Sequence, residues 1–65
     1  MNLKEEDNLQ MERWLKVKSD IVLKKLNVKE TYKIFGFTTY EGFKKAIKEN
    51  RKNRYYEVVD YLKKL

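Results

Sequence analysis

The sequence has no cysteine, no histidine and no proline, and only two of its 65 residues are glycine. Without cysteine and histidine the chain has no disulfide, no thiolate nucleophile, no imidazole base and no zinc site built on these side chains. Most kinds of enzyme catalysis depend on such groups and are therefore excluded. We therefore expect a protein without catalytic residues, without a cofactor and without a bound metal.

Long apolar runs are also absent. The longest aliphatic run covers only residues 21–23, whereas a membrane span needs roughly 18 apolar residues. The first seven residues are mostly charged and do not resemble a signal peptide. The sequence therefore predicts a cytoplasmic protein that does not bind a membrane.

Charge is abundant but unevenly distributed. Sixteen lysine and arginine residues stand against ten aspartate and glutamate residues, for a formal charge of +6. Residues 1–12 carry −3, whereas residues 13–65 carry +9. Six cations and the carboxylate of Glu49 put +5 into the eleven positions 44–54. This density favours a polyanionic partner, although a lysine-rich surface that only keeps a small protein in solution is the alternative.

The length allows one small domain, because a chain of this size buries only about 60% of the surface that its unfolded form exposes. Residues 1–8 are polar and acidic and lack apolar periodicity, so we expect a disordered lead-in. Residues 9–65 are expected to form a single helical domain. With no proline and little glycine, the pattern indicates an all-α bundle of about four helices.

Apolar spacing and capping residues divide this domain into four predicted helices. The first covers residues 9–26, as one helix or as two pieces that separate near Ser19. The second follows Asn27 as its N-cap, with Glu30 completing a capping box, and ends at Gly36, since glycine readily adopts the left-handed conformation. The third follows Thr38 as its N-cap, with Glu41 completing a capping box.

The third predicted helix turns one apolar face inward and a basic face outward. Its pattern breaks at Asn50 or Asn53, and residues 55–65 repeat apolar side chains at the spacing of a closing helix. The core is thin and depends on large side chains. Its expected aromatic members are Trp14, Tyr32, Phe35, Phe37 and Phe43.

Two short helices separated by residues 36–38, the second with a basic outer face, indicate a helix-turn-helix. The second helix of such a unit lies in the major groove of DNA, and the first crosses the backbone. The residues expected to approach base edges are Thr38, Thr39, Tyr40 and Glu41. Those expected along the groove and the phosphates are Lys44, Lys45 and Lys48. Beyond the helix, the side chains expected to clamp backbone phosphate are Arg51, Lys52 and Arg54.

The run LNVKETYKIFGFTTYEGFKKAIKEN, residues 26–50, resembles the helix-turn-helix of excisionases and related MerR-like DNA-binding proteins. The positions that match the structural pattern of that family are Leu26, Val28, Glu30, Ile34, Phe35, Gly36, Phe37 and Thr38. Lys44 takes the place of a basic residue on the recognition helix. The sequence departs from the pattern at Thr31 and Tyr32, where small alanines are usual, and at Gly42, where a branched apolar residue is usual. Its helix-periodic end is similar to the closing helix of phage-repressor-like bundles.

The resemblance implies a transcription regulator or an excisionase-like protein, of mobile-element or phage type, that binds double-stranded DNA. A homodimer or a protein partner would extend the few base pairs that one small module reads. The alternative is an accessory subunit that docks on a larger replication or recombination protein and contacts single-stranded DNA. The tyrosines available to stack on unpaired bases are Tyr40, Tyr55, Tyr56 and Tyr61.

Overall fold

The computed structural model describes the backbone of residues 3–65 and the side chains of residues 7–65. Over this range the chain forms three α-helices, which are α1 (Leu3–Leu23), α2 (Tyr40–Glu49) and α3 (Arg54–Lys64). Two 3-10 turns, Thr31–Lys33 and Arg51–Asn53, precede α2 and α3. The all-α class is confirmed, with three α-helices instead of about four. No helix in the described range is long and apolar enough to span a membrane.

The first helix is longer at its N-terminal end than the sequence predicted. Residues 3–8 belong to the disordered lead-in that was expected over residues 1–8, but their backbone forms the first turns of α1. These turns contain leucine, lysine and glutamate, which are good helix formers. Residues 1 and 2 of the lead-in lie outside the described residues. The helix continues without a break, so it is one piece and not two.

The first helix ends three residues earlier than predicted. Its last turn closes through Lys25, which has a left-handed φ of 61°. The Lys25 N–H donates to the Val22 carbonyl at 2.9 Å, and the Leu26 N–H donates to the Ile21 carbonyl at 3.0 Å. This is the hydrogen-bond pattern of a Schellman motif. Glycine usually occupies this position, because the left-handed conformation costs a residue with a Cβ roughly 1–2 kcal/mol.

The second predicted α-helix is the main correction to the sequence analysis, because residues 28–35 form only turns around the 3-10 segment Thr31–Lys33. The Asn27 side chain does accept a hydrogen bond from the Lys29 N–H at 2.9 Å, as expected of an N-cap, but the 3-10 segment begins only after Glu30. The segment is short and rich in β-branched and aromatic residues, which lower helix propensity. The buried Thr31 hydroxyl also donates to the Asn27 carbonyl at 2.6 Å, within the first turn.

The expected capping box at this segment does not form. Glu30 instead pairs with Lys33, with Oε2 and Nζ 2.6 Å apart. The hydrogen bond that the Lys33 ammonium group donates to the Glu30 carboxylate, together with the negative charge of that carboxylate, raises the pKa of Lys33. The left-handed conformation expected at Gly36 is present, with a φ of 80°, and the Phe37 N–H donates to the Tyr32 carbonyl at 3.2 Å.

The second α-helix begins one residue later than predicted. Its N-cap is Thr39, whose hydroxyl oxygen accepts a hydrogen bond from the Gly42 N–H at 3.0 Å. The helix breaks at both asparagines that the sequence offered as alternatives, because Asn50 and Asn53 are each left-handed. The Asn50 side chain then accepts from the Tyr55 N–H at 3.2 Å, which fixes the first turn of α3.

The core consists of one side of each helix. Its buried apolar side chains are Trp14, Val17, Ile21, Phe43, Ala46, Ile47, Val58 and Leu62. Phe43 lies at the centre, with its ring 5.7 Å from that of Phe35, 5.5 Å from that of Phe37 and 6.0 Å from that of Trp14. Of the five aromatic residues expected in the core, Trp14 and Phe43 are buried, and Tyr32, Phe35 and Phe37 are partly buried against it.

Candidate nucleic-acid interface

The second α-helix turns its apolar side inward and its charged side outward. Its buried side chains are Phe43, Ala46 and Ile47. Lys45 is exposed, and Lys44 and Lys48 are half-buried at the edge that faces α1. This arrangement follows from the 3.6-residue period, which separates the two sets of side chains on the helix surface. The lysines predicted to face outward are therefore accessible, although two of them lie against α1.

The beginning of α2 exposes three of the four residues that were expected to approach base edges. Thr38, Thr39 and Glu41 are exposed, and the Thr39 hydroxyl is already used to cap the helix. Tyr40 is half-buried, and its ring meets the Trp14 ring edge-on, with the centroids 5.9 Å apart. Tyr40 therefore packs on the core and has little free surface to stack on a base.

The half-buried lysines are positioned by contacts with α1. The Lys44 ammonium group lies 5.6 Å from the centre of the Trp14 ring, a cation–π distance at which the lysine stem covers the indole. The carbonyl of Lys48 accepts a hydrogen bond from the Arg13 guanidinium at 2.7 Å. This contact places a cation at the negative end of the α2 dipole, which is favourable. Both contacts hold α2 on α1, and the second uses only the backbone carbonyl of Lys48 and not its ammonium group.

The arginines of the surface are paired with carboxylates. Arg51 Nε lies 2.8 Å from Glu49 Oε1, and Arg54 Nη1 lies 2.7 Å from Glu57 Oε2. Pairs at such exposed positions are worth about 0–1 kcal/mol, so a phosphate can displace them at small cost. In contrast, no carboxylate within residues 7–65 forms an ion pair with the lysines of this surface, Lys44, Lys45, Lys48 and Lys52.

The turn between α2 and α3 has an unusual backbone. Positive φ values occur at three of its residues, Asn50, Lys52 and Asn53. Glycine and asparagine adopt a positive φ most readily, so the conformation is unusual for Lys52. The Lys52 side chain is exposed at this turn. The guanidinium of Arg54, at the start of α3, lies 5.0 Å from the centre of the Phe37 ring. The Phe37 ring thus supports Arg54, whereas the Lys52 side chain faces solvent.

A cleft of about 340 Å³ lies between α1 and the outer side of α2. Its lining is almost entirely charged and consists of Gln10, Glu41, Lys44, Lys45, Lys48 and Glu49. Two residues of α1 that the sequence did not point to contribute to this surface. Gln10 lines the cleft, and Arg13, one turn further along α1, donates to the Lys48 carbonyl.

The positive charge of the surface is concentrated at the C-terminal end of α2. The helix itself has three lysines against Glu41 and Glu49, whereas the four positions 51–54 add three cations and no carboxylate. The structure therefore brings Lys44, Lys45 and Lys48 together at one cleft, where Glu41 and Glu49 also lie, and Arg51 adjoins them through its ion pair with Glu49. In the part of the chain that the structure describes, no three metal-binding side chains form a cluster.

The comparisons with known proteins give no further guide to this surface. No protein-family model, no curated protein and no solved structure matches the chain. The resemblance to excisionases and MerR-like proteins depends on residues 26–50 alone, and it stays a prediction.

Proposed function

We propose that the protein binds double-stranded DNA through the outer side of α2 and the turn that follows it. The observation that carries the proposal is the grouping of six cations on α2, the turn and the first residue of α3. Four of these are lysines without a carboxylate partner among residues 7–65. The apolar side of α2 is buried in the core, so its lysines lie on the opposite side of the helix, where a polyanion can contact them.

The dimensions of α2 agree with the major groove. Ten residues give a helix about 15 Å long, and a groove about 12 Å wide admits a helix. Lys45 and Thr38 would lie nearest the bases, and Lys52 and the arginines of the turn would contact phosphate. A helix-turn-helix normally braces its second helix with its first. Here that support comes from α1, through Trp14 and Arg13, since residues 28–35 form only turns.

The charge distribution implies binding that depends mainly on phosphate. Most of the cations lie at the end of α2 and in the turn, whereas a recognition helix contacts base edges from its N-terminal residues. Tyr40 is held by the core, and Glu41 would be repelled by phosphate. We therefore expect strong dependence on salt and weak dependence on base sequence.

A comparison of two double variants tests the proposal. Lys45→Glu with Lys52→Glu reverses two exposed cations of the surface, and Lys29→Glu with Lys63→Glu reverses two exposed cations elsewhere. Each pair changes the formal charge from +6 to +2. Binding is measured by fluorescence anisotropy of a labelled duplex, and circular dichroism checks that both variants fold.

The expected difference follows from counterion release. At about 0.15 M salt, a slope of 0.9 per phosphate contact makes each contact worth about fivefold in affinity, so two lost contacts cost about 30-fold. The surface variant should lose at least that much, and the control variant no more than a few-fold. Equal losses in the two variants would show attraction by net charge alone, and an unchanged surface variant would contradict the proposal.

Single-stranded DNA is the second candidate, and one side chain favours it. Tyr56 is 64% exposed beside the turn, and its ring lies 5.1 Å from that of Tyr55. Stacking on a base is worth about 1–3 kcal/mol, so Tyr56→Ala would weaken single-strand binding by about 5- to 150-fold. Tyr56→Phe keeps the ring and is the matched control. If the proposed duplex binding is correct, Tyr56→Ala leaves duplex affinity within about twofold of the wild type.

A further inference from the structure

One arginine of the chain differs from the other two in its partners. Arg51 pairs with Glu49, and Arg54 pairs with Glu57. In contrast, no carboxylate among residues 7–65 forms an ion pair with Arg13, although Arg13 is half-buried. Partial removal of a charge from water is unfavourable unless an opposite charge lies close to it. The environment of Arg13 therefore favours an anion that is not part of the described chain.

Arg13 lies beside other cations where α1 meets α2. Its Nη1 donates a hydrogen bond to the Lys48 carbonyl at 2.7 Å. Trp14, the next residue of α1, has the Lys44 ammonium group 5.6 Å from the centre of its ring. Lys44 and Lys48 also have no ion-pair partner among residues 7–65. The contact between α1 and α2 thus gathers three cations without a described counterion.

The carboxylates nearest to these cations do not compensate Arg13. Glu49 is held by Arg51, with Oε1 and Nε 2.8 Å apart. Glu41 lies in the first turn of α2, about 10 Å along the helix axis from Lys48. Both therefore leave the positive charge of Arg13 available to an external anion.

The guanidinium of Arg13 has donors to spare. Of its five N–H donors, one is used by the Lys48 carbonyl within the described residues. That carbonyl belongs to the last turn of α2, where the helix dipole supplies only about half a negative charge. The planar fork of the remaining donors fits the oxygens of a phosphate group, which accepts two parallel hydrogen bonds from arginine.

We propose that Arg13 binds a phosphate of the duplex that α2 contacts, so that α1 crosses the DNA backbone beside α2. This inference rests on the proposed duplex binding. In a helix-turn-helix the helix before the recognition helix crosses the backbone. Here residues 28–35 form only turns, and α1 takes that place. Arg13 then joins the carbonyl end of α2 to one DNA strand through a single side chain.

The salt dependence of duplex affinity tests this contact, because its slope counts the phosphate contacts. Arg13→Gln removes the charge and keeps an N–H donor for the Lys48 carbonyl. It should lower the affinity about fivefold at about 0.15 M salt. Four lysines and Arg13 predict a slope of about −4.5 for log K against log salt, and Arg13→Gln should reduce it to about −3.6. A role limited to holding α2 in place would leave the slope unchanged.

Two further variants separate the charge of Arg13 from other effects. Lys18→Gln makes the same change in charge on α1, where Lys18 is exposed about 140° around the helix axis from Arg13. It should change the affinity by less than about twofold and leave the slope unchanged. Arg13→Lys keeps the charge and the ability to donate, so it should keep the wild-type slope. Circular dichroism checks that each variant folds.

Chemical modification of the wild-type chain tests the same contact without a substitution, and it decides the question if Arg13→Gln does not fold. Phenylglyoxal reacts with guanidinium groups, and mass spectrometry of the peptides separates Arg13 from Arg51 and Arg54. Arg13 should react in the free chain, because most of its donors are unpaired. With duplex at about nine times its dissociation constant, about a tenth of the chain is free, so the reaction at Arg13 should slow by about tenfold.

The outcomes distinguish this inference from the proposed function. No duplex binding by the wild-type chain would contradict both. If the wild-type chain binds duplex, four results would overturn the phosphate contact of Arg13 alone. They are an unchanged slope for Arg13→Gln, an equal loss of slope for Arg13→Lys or Lys18→Gln, a reaction at Arg13 that bound duplex does not slow, and an Arg13 that does not react in the free chain.

Discussion

Removal of one carboxylate from the cationic surface should strengthen DNA binding, and Glu49 is the residue to change. Its side chain holds Arg51 at 2.8 Å and lines the cleft beside Lys45 and Lys48. A phosphate that approaches this surface must displace Glu49 from Arg51 and is repelled by its charge. Glu49→Gln keeps the shape of the side chain and removes both effects.

The magnitude follows from the exposure of the pair. An exposed ion pair costs about 0–1 kcal/mol to break, so Arg51 freed from Glu49 should raise duplex affinity by up to about fivefold. If Arg51 then makes a full phosphate contact, the plot of log K against log salt becomes steeper by about 0.9. We expect a two- to fivefold gain at about 0.1 M salt and a smaller gain at higher salt.

Asp60→Asn is the control, because it makes the same change in charge and frees Lys64, whose Nζ lies 3.0 Å from Asp60 Oδ2 on α3. Charges separated by more than the Debye length of about 8 Å are largely screened at physiological salt, so this variant should change affinity by less than about twofold. Both variants are titrated against one labelled duplex at three salt concentrations. Two results would refute the assignment of the surface. One is an equal gain in duplex affinity for Asp60→Asn and Glu49→Gln, and the other is no gain in duplex affinity for Glu49→Gln.

Three further predictions concern stability, each measured by urea unfolding followed by circular dichroism. Phe43→Ala should lower the free energy of unfolding by about 3–5 kcal/mol, a large part of the roughly 5–15 kcal/mol that stabilises a domain. An unfolding midpoint close to that of the wild type would contradict the central position of the Phe43 ring. Lys25→Gly should stabilise the chain by about 1 kcal/mol, and Gly36→Ala should destabilise it by about as much, because both residues are left-handed. Thr39→Ala should cost about 1 kcal/mol through loss of the N-cap, whereas Thr38→Ala should have little effect.

The elements with strong periodicity were predictable from the sequence. The α2 and α3 helices each repeat apolar side chains at helical spacing over ten or eleven residues, and their bounds differ from the prediction by one or two residues. The end at Gly36 was also predictable, because a glycine after a short helical segment has a clear local role. In these segments local propensity and tertiary packing favour the same structure.

The segment from Asn27 to Gly36 shows where the sequence was insufficient. Val28, Tyr32 and Phe35 have helical spacing, but the 3-10 segment Thr31–Lys33 and the turns on either side of it also direct them toward the core. In the observed turn Thr31 is buried and its hydroxyl donates to the Asn27 carbonyl, an environment that the sequence does not display. The spacing therefore identified the inward residues correctly and the backbone conformation incorrectly.

The candidate surface was predictable in composition but not in its pairing. The run of cations at positions 44–54 is evident in the sequence. Three contacts of this surface depend on the folded structure. They are the pair of Arg54 with Glu57, the contact of Lys44 with Trp14 and the contact of Arg13 with α2. Of these, only the pair three residues apart on α3 has a local signal, since side chains at this spacing are neighbours on a helix.

The most direct test of the central claim is the salt dependence of duplex binding by the wild-type chain. Four lysines without a carboxylate partner among residues 7–65 predict a slope of about −3.6 for log K against log salt, and the two arginines, if they also contact phosphate, extend it to about −5.4. A slope within this range, measured by anisotropy between about 50 and 200 mM salt, is the result we predict. A slope near zero, or no binding at the lowest salt concentration, would contradict the claim that this surface binds DNA.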